Sequence, residues 1–184
     1  MKPIAQMTQL ELAAFVQEHL RQQGIEVVLS GGSAVMLYSR NLYVSKDVDL
    51  IMLSFVRRGV LRQTMQALGF VEEGRHFVHP DSPHVIEFPA GPLAVGKEPV
   101  REIQEKVLDT GRLQVISPTD CVKDRLCAFY YWGDRQALVQ AVLVCQHNSV
   151  DLDEVARWSR VEGVYERFLE FLNTLKTQGG PSQS

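Results

Sequence analysis

The chain has 184 residues, of which 45% are hydrophobic and 22% are charged, the composition of an ordinary globular protein. Its formal net charge of −3 argues against a global basic surface that would attract nucleic acid. No apolar run approaches about 18 residues, and no signal-type segment opens the sequence, which argues against a membrane-spanning helix or export. We therefore expect a cytoplasmic protein with no membrane partner, in which Cys121, Cys127 and Cys145 are reduced thiols.

The first part of the chain alternates predicted helices and strands. Thr8 and Glu11 have the spacing of a capping box, and apolar residues then recur at helical intervals up to Gly24. The elements predicted next are a buried strand (25–29), a turn (30–33), a short helix (34–38), a second buried strand (47–53), an amphipathic helix (57–68), a hairpin around Gly74 (70–78) and a strand (85–88). The elements predicted after these are a loop (90–99), an ambiguous segment with a short helix as one interpretation (98–108) and a last strand (113–116).

The character of the sequence changes at Ser117, which can cap a helix that has Pro118 at its first position. Four helices are predicted from here, beginning near residues 118, 135, 152 and 164. The sequence thus predicts an α+β protein with three parts, a mixed α/β part (1–116), a helical part (117–177) and a disordered tail (178–184).

Two acidic residues lie inside a predicted apolar strand. Successive strand side chains point to opposite faces, so Asp47 and Asp49 share one face, about 6.6 Å apart along the strand. Two carboxylates this close repel each other, and a divalent cation would remove that penalty. Before them, a Gly31-Gly32-Ser33 turn leads into a helix and offers backbone N–H groups to a phosphate. These features indicate a metal-dependent site for a nucleoside triphosphate.

The same features resemble the nucleotidyltransferase superfamily with the DNA polymerase β-like core. Its signature is a Gly-Gly or Gly-Ser turn after a strand, then Asp-x-Asp on the next strand, then a third carboxylate on a later strand. The best match to the third acid is Glu87, in the Val-Ile-Glu-Phe stretch at 85–88. The helix that opens at Ser117 looks like the helical domain of the minimal bacterial members, of the abortive-infection and toxin–antitoxin types. The resemblance implies a small mixed β-sheet flanked by helices, with a C-terminal helical bundle.

The resemblance also implies roles for individual residues. Asp47, Asp49 and Glu87 would be catalytic and would bind Mg²⁺ or Mn²⁺. The nucleotide, with ATP as one candidate, would be bound by Gly31, Gly32, Ser33, Arg40 and Lys123.

Several residues keep a plain structural interpretation beside the functional one. Asp120 lies in the first turn of its predicted helix, where a carboxylate compensates the helix dipole, and Asp134 can be an N-cap. The alternative third acids are Glu72, Glu73 and Asp81. Three histidines are close in sequence but lack the cysteine partners or helical spacing typical of a zinc site, namely His76, His79 and His84.

The leading hypothesis is an enzyme that transfers a nucleoside monophosphate from a nucleoside triphosphate to a hydroxyl on a protein, a tRNA or a small molecule. The alternative is a non-catalytic module of a toxin–antitoxin-like pair that binds a nucleotide or a partner protein. A third hypothesis is a phosphodiesterase or nuclease that uses the same acidic residues.

Overall fold

The computed structural model describes residues 2–178. A single turn of 3₁₀ helix (Ile4–Gln6) precedes the first α-helix. The helices are α1 (Gln9–Gln22), α2 (Gly31–Tyr38), α3 (Arg58–Ala67), α4 (Pro118–Trp132), α5 (Arg135–His147), α6 (Leu152–Val161) and α7 (Tyr165–Gln178). The strands are β1 (Val27–Ser30), β2 (Asp47–Met52), β3 (Val71–Glu73), β4 (His76–Val78), β5 (Val85–Glu87), β6 (Ala94–Val95), β7 (Glu98–Pro99), β8 (Ile103–Leu108) and β9 (Gly111–Ile116).

Seven of these strands form one mixed sheet in the order β3-β4-β5-β2-β1-β9-β8, and β6 and β7 form a separate small hairpin. The β2–β5 and β1–β9 pairs are parallel, whereas β1–β2, β3–β4, β4–β5 and β8–β9 are antiparallel. The predicted α+β class, with a mixed sheet flanked by helices, is confirmed. The topology places β2 in the middle of the sheet, with β1 on one side and β5 on the other.

Local sequence signals explain how several helices begin. Thr8 accepts a hydrogen bond from the backbone N–H of Glu11, and the Glu11 side chain accepts one from Thr8, so the predicted capping box is confirmed. Ser117 caps α4 with Pro118 in the first turn, as predicted. Asp134 is the N-cap of α5 and accepts bonds from two backbone N–H groups, so its structural interpretation is confirmed.

Three local predictions need correction. The predicted turn at 30–33 is absent, because α2 begins at Gly31 and the glycines form its first turn. The helix considered for 98–108 is wrong, since 103–108 is the edge strand β8, whose Val107 is 79% exposed. An edge strand with solvent-facing side chains shows little apolar alternation, so its pattern resembles that of a polar helix. The predicted loop at 90–99 contains the small β6–β7 hairpin.

The buried apolar side chains form one continuous cluster that extends from α1 through the sheet to α7. Leu12 and Leu50 belong to it in the first part of the chain, and Phe129, Trp158 and Phe171 belong to it in the helical part. The division into two domains near residue 116 stays a prediction. The predicted tail, apart from Gln178 at the end of α7, lies outside the described residues. Within residues 2–178, no helix is both long enough and apolar enough to cross a membrane.

Candidate active site

The two aspartates of β2 lie next to the predicted third acid. Asp49 is in register with Ser30 of β1 on one side and with Glu87 of the parallel strand β5 on the other. Asp47 lies two residues earlier on the same face of β2, whereas the intervening Val48 is fully buried on the opposite face. The sheet therefore brings the three predicted carboxylate-bearing residues to one face of two neighbouring strands.

The first glycine of α2 is in direct contact with this carboxylate group. Gly31 has a φ of +61°, and a Cβ atom at this position would overlap Oδ2 of Asp49. At Gly32, a Cβ atom would lie 2.7 Å from the Ser45 hydroxyl and 3.3 Å from the ring of Tyr43. The first backbone N–H groups of an α-helix have no partner within the helix. The glycines thus bring the N-terminus of α2 against Asp49.

The Ser33 side chain anchors the first turn of α2 to the start of β2. Its buried hydroxyl donates a 2.7 Å hydrogen bond to the backbone carbonyl of Asp47 and accepts one of 3.1 Å from the Gln9 amide. Gln9 and the Ser45 hydroxyl each donate a further bond of 2.9 Å to the same carbonyl. The Ser33 hydroxyl therefore fixes the start of β2 against α2, and a phosphate contact by this residue would come from its backbone N–H.

Ser33→Ala is expected to lower the free energy of unfolding by about 1–3 kcal/mol, because it removes a buried hydroxyl from a satisfied network. Urea denaturation monitored by circular dichroism measures this loss. Ser54→Ala is the control, since Ser54 is exposed and its substitution should change stability by less than about 0.5 kcal/mol. Equal stabilities of the two variants would contradict the anchoring role.

The carboxylates are electrostatically coupled. Burial raises the pKa of Asp49 to about 6, and repulsion from the neighbouring Glu87 adds to the increase. Glu87 accepts a hydrogen bond from His76, its register partner on β4, and lies 3.4 Å from the guanidinium of Arg75. Asp49 is thus held at a position where its ionised form is disfavoured, which is the situation that a bound cation relieves.

A basic residue that was not predicted lies near these acids. Arg125 of α4 lowers the pKa of Asp49 by its charge, and its side chain is only 20% exposed. Its guanidinium donates to the adjacent Asp124 and, over 3.4 Å, to Gln140 of α5. In the sequence, Asp124 and Arg125 look like an ordinary charged pair on a helix, so no local signal identifies Arg125. The helical part of the chain therefore contributes a cation whose charge acts on Asp49.

The structure does not bring Lys123 and Arg40, the two basic residues that were predicted, to the carboxylates. Lys123 is 2% exposed and its ammonium lies 2.7 Å from Glu154 and 3.4 Å from Asp120. It precedes Arg125 by two residues, about 200° around the helix, so the two side chains leave α4 on different faces. Arg40 is exposed in the turn after α2, with a φ of +54°. Within the described residues, neither one forms an ion pair with Asp47, Asp49 or Glu87.

Glu72, His79 and Asp120 have partners other than the three predicted carboxylates. Glu72 forms ion pairs with Arg58 and Arg62 on the surface of α3. His79 packs edge-on against Phe70, with ring centroids 5.1 Å apart. Asp120 accepts hydrogen bonds from the backbone N–H groups of residues 101 and 102, so this side chain joins α4 to the segment before β8.

The three carboxylates are chemically suitable ligands for a divalent cation, but they are not arranged around a common point. Carboxylate oxygens are the ligands that Mg²⁺ and Mn²⁺ prefer, and Asp47 and Asp49 offer them on one face of β2. The Glu87 carboxylate is instead engaged by His76 and Arg75. Across residues 2–178, no group of three His, Cys, Asp or Glu side chains is arranged to hold a metal ion. The contacts with His76 and Arg75 are both made to Oε1 of Glu87, which leaves Oε2 as the oxygen it could offer to a cation.

Comparison with solved structures identifies the architecture. An antigenic nucleotidyltransferase-like protein from Paracoccidioides brasiliensis is similar with a TM-score of 0.56 and 16% identity, over 74% of this chain and 75% of that one. The structure of ANT(2'')-Ia in complex with adenylyl-2''-tobramycin is similar with a TM-score of 0.52 and 16% identity, over 91% of this chain and 99% of the other. The chain has the nucleotidyltransferase fold. No protein-family model and no curated protein sequence matches the chain.

The nucleotidyltransferase fold accounts for the proximity of residues that are far apart in sequence. Gly31, Asp49 and Glu87 come from α2, β2 and β5, and the fold gathers them at the centre of the sheet. At 16% identity the likeness concerns the fold, so the chemistry of the site has to be argued from the side chains of this chain.

Proposed function

We propose that the chain transfers a nucleoside monophosphate from a nucleoside triphosphate to a hydroxyl acceptor. The observation that carries the proposal is the contact of Gly31 with the carboxylate of Asp49, which is itself in register with Glu87. A helix N-terminus attracts phosphate oxygens, and a group of carboxylates attracts a divalent cation. A nucleoside triphosphate bound as its Mg²⁺ complex supplies phosphate oxygens for the helix N-terminus and a cation for the carboxylates.

In this proposal each part of the site has one task. The backbone N–H groups of Gly31, Gly32 and Ser33 would bind the terminal phosphates. Asp47 and Asp49 would hold Mg²⁺ or Mn²⁺, with Glu87 as the third ligand, and the cation would neutralise the charge that develops on the phosphates. Positioning and charge neutralisation supply most of the rate in such transfers, so the protein needs no covalent intermediate.

Arg125 is proposed as a further contributor to triphosphate binding. It is a mostly buried cation whose charge acts on Asp49, and a guanidinium can form two parallel hydrogen bonds with a phosphate. Its present partners Asp124 and Gln140 hold the side chain in place. Arg40 and Lys123 stay predictions for nucleotide binding, with the ion pairs of Lys123 favouring a structural role.

Among the candidate acceptors, a small molecule is favoured over tRNA or protein. The net charge of −3 gives no general attraction for a nucleic acid. The complex of ANT(2'')-Ia with adenylyl-2''-tobramycin shows that this fold accommodates an adenylyl group joined to a small molecule. The non-catalytic partner-binding module is the second candidate, because the Glu87 carboxylate beside Asp49 is already paired through one oxygen with His76 and Arg75.

The test is transfer of label from α-labelled ATP in the presence of Mg²⁺ or Mn²⁺, with separate reactions that contain tRNA, a protein extract or an aminoglycoside. Asp47→Asn should lower label transfer at least about 1000-fold, because it removes a cation ligand worth several kcal/mol in the transition state. Glu105→Gln on β8, an edge strand three places from β2 in the same sheet, is the matched control and should leave transfer unchanged.

The two candidate functions give different results in this assay. A non-catalytic module would bind ATP, with a rise in melting temperature, but would transfer no label to any acceptor or to water. Equal label transfer by the Asp47→Asn and Glu105→Gln variants would contradict the assigned role of the carboxylates.

A further inference from the structure

An apolar cavity lies at the ends of the two strands that carry the carboxylates. A cavity of about 460 Å³ lies beyond the ends of β2 and β5, between the segments 52–56 and 90–92. Small-molecule sites usually have volumes of about 300–1,000 Å³. Both segments are direct continuations of the strands that carry Asp49 and Glu87. The cavity is therefore built by the same two strands as the candidate active site.

The lining of this cavity is uncharged. Every residue of 52–56 and 90–92 is described, and the lining combines Met52, Leu53, Phe55 and Val56 with small residues and a proline. Phe55 is 91% exposed at its rim and Leu53 is 43% exposed. Exposed apolar side chains that gather around a concavity are a feature of binding sites. A triphosphate or a polycation would find no charged partner there, whereas a flat, uncharged group would bury its surface.

The position of the cavity indicates which substrate it serves. Met52, the first lining residue, follows Asp49 by three residues, so their Cα atoms are about 10 Å apart along β2. The N-terminus of α2, which would bind the terminal phosphates, lies toward the start of β2, because Ser33 donates to the Asp47 carbonyl and Gly32 faces Ser45. Pyrophosphate would leave toward α2, and an in-line displacement requires the acceptor to approach from the opposite side. That side is the end of β2, beyond which the cavity lies.

We propose that this cavity binds the acceptor, and that the acceptor is a hydroxyl attached to an uncharged, aromatic or otherwise apolar group. The inference rests on the proposed function. In the reaction, the acceptor hydroxyl oxygen forms a bond to the α-phosphorus and the bond from that phosphorus to the bridging oxygen breaks. Pyrophosphate leaves with the electron pair, and the hydroxyl proton passes to water.

The experiment measures binding of 2-naphthalenemethanol to the full chain by ligand-observed NMR, with and without the non-hydrolysable analogue α,β-methylene-ATP and Mg²⁺. We expect a dissociation constant of about 1 mM or lower, as for a small aromatic ligand in a pocket. The ATP analogue should not displace the probe. Phe55→Ser should weaken binding at least about fivefold, and Val107→Ser should leave it unchanged. Val107 is the matched control because it is 79% exposed on the distant edge strand β8.

A second readout separates this inference from the proposed function. With α-labelled ATP, the wild type should label the naphthyl probe, Phe55→Ser should reduce that product, and Val107→Ser should leave it unchanged. Absence of probe binding, displacement by the ATP analogue or equal effects of the two variants would overturn the inference alone. Probe binding with neither labelled probe nor AMP formed from ATP would overturn the proposed function, and the acceptor assignment with it.

Discussion

Asp49→Asn is expected to make the folded chain more stable at pH 7 while it abolishes nucleotide transfer. Burial, reinforced by Glu87, raises the pKa of Asp49 to about 6 from a usual value of 3.8. At pH 7 the folded protein therefore carries a carboxylate whose ionised form is disfavoured. An isosteric amide removes this cost, and the free energy of unfolding should rise by about 1–3 kcal/mol, given about 1.4 kcal/mol per pKa unit. Transfer should fall at least about 1000-fold, as for Asp47→Asn.

The pH dependence of the difference in stability between the wild type and Asp49→Asn shows whether the ionisation of Asp49 causes it. Between about pH 4 and 6 the folded state holds a proton on Asp49 that the unfolded state has lost. The free energy of unfolding of the wild type should therefore fall as the pH rises through this window and then level off above it. The Asp49→Asn variant lacks this step, so its advantage should be full at pH 7 and nearly absent at pH 4.

Urea denaturation in metal-free buffer at pH 4, 5, 6 and 7 measures the free energy of unfolding of the wild type and of the Asp49→Asn variant. Asp109→Asn is the control, because this aspartate is exposed in the turn between β8 and β9 and its substitution should change stability little at any pH. A destabilised Asp49→Asn variant at pH 7 would show that Asp49 serves the fold rather than a ligand.

Gly31→Ala has the second large expected effect, and the chain contains its matched control. Gly31 and Gly74 have φ angles of +61° and +63°, so alanine costs about 1–2 kcal/mol of backbone strain at either position. A Cβ atom at Gly74 would find no other atom within 4 Å, whereas at Gly31 it would overlap the carboxylate of Asp49. Gly74→Ala should therefore lose stability only, and Gly31→Ala should also displace Asp49 and lose at least about 100-fold in transfer.

The comparison of these two variants separates strain from steric contact. Denaturation curves report the shared cost of the positive φ, and the label-transfer assay reports the displacement of Asp49. If both variants keep full transfer at a similar loss of stability, the contact between Gly31 and Asp49 is not functional. If Gly74→Ala also loses transfer, the effect arises from general destabilisation.

The residues whose roles are set by local chemistry could be predicted from the sequence. The capping box at Thr8, the helix start at Ser117 and the shared face of Asp47 and Asp49 each depend on spacings of two to four residues. Sequence alone also places Glu87 on a strand. Its position beside Asp49 came from the resemblance, because pairing between strands separated by more than 30 residues leaves no local pattern.

What could not be predicted depends on contacts between distant segments. Arg125 lies near Asp49 because α4 packs against α2, and its sequence neighbourhood looks like an ordinary charged pair on a helix. Lys123, two residues earlier, is the residue that the resemblance implied for nucleotide binding, but its ammonium pairs with Glu154 of α6. The apolar cavity likewise forms from two segments that are about 35 residues apart in sequence and meet because β2 and β5 are parallel neighbours.

The most direct test of the whole account is a crystal structure of the chain with Mn²⁺ and α,β-methylene-ATP, in which anomalous scattering locates the metal. We expect the Mn²⁺ signal at the carboxylates of Asp47 and Asp49, with the terminal phosphates against the backbone of residues 31–33 at the start of α2. Mn²⁺ bound elsewhere, or a triphosphate that does not contact these glycines, would contradict the assignment of this sheet face as a nucleotide site.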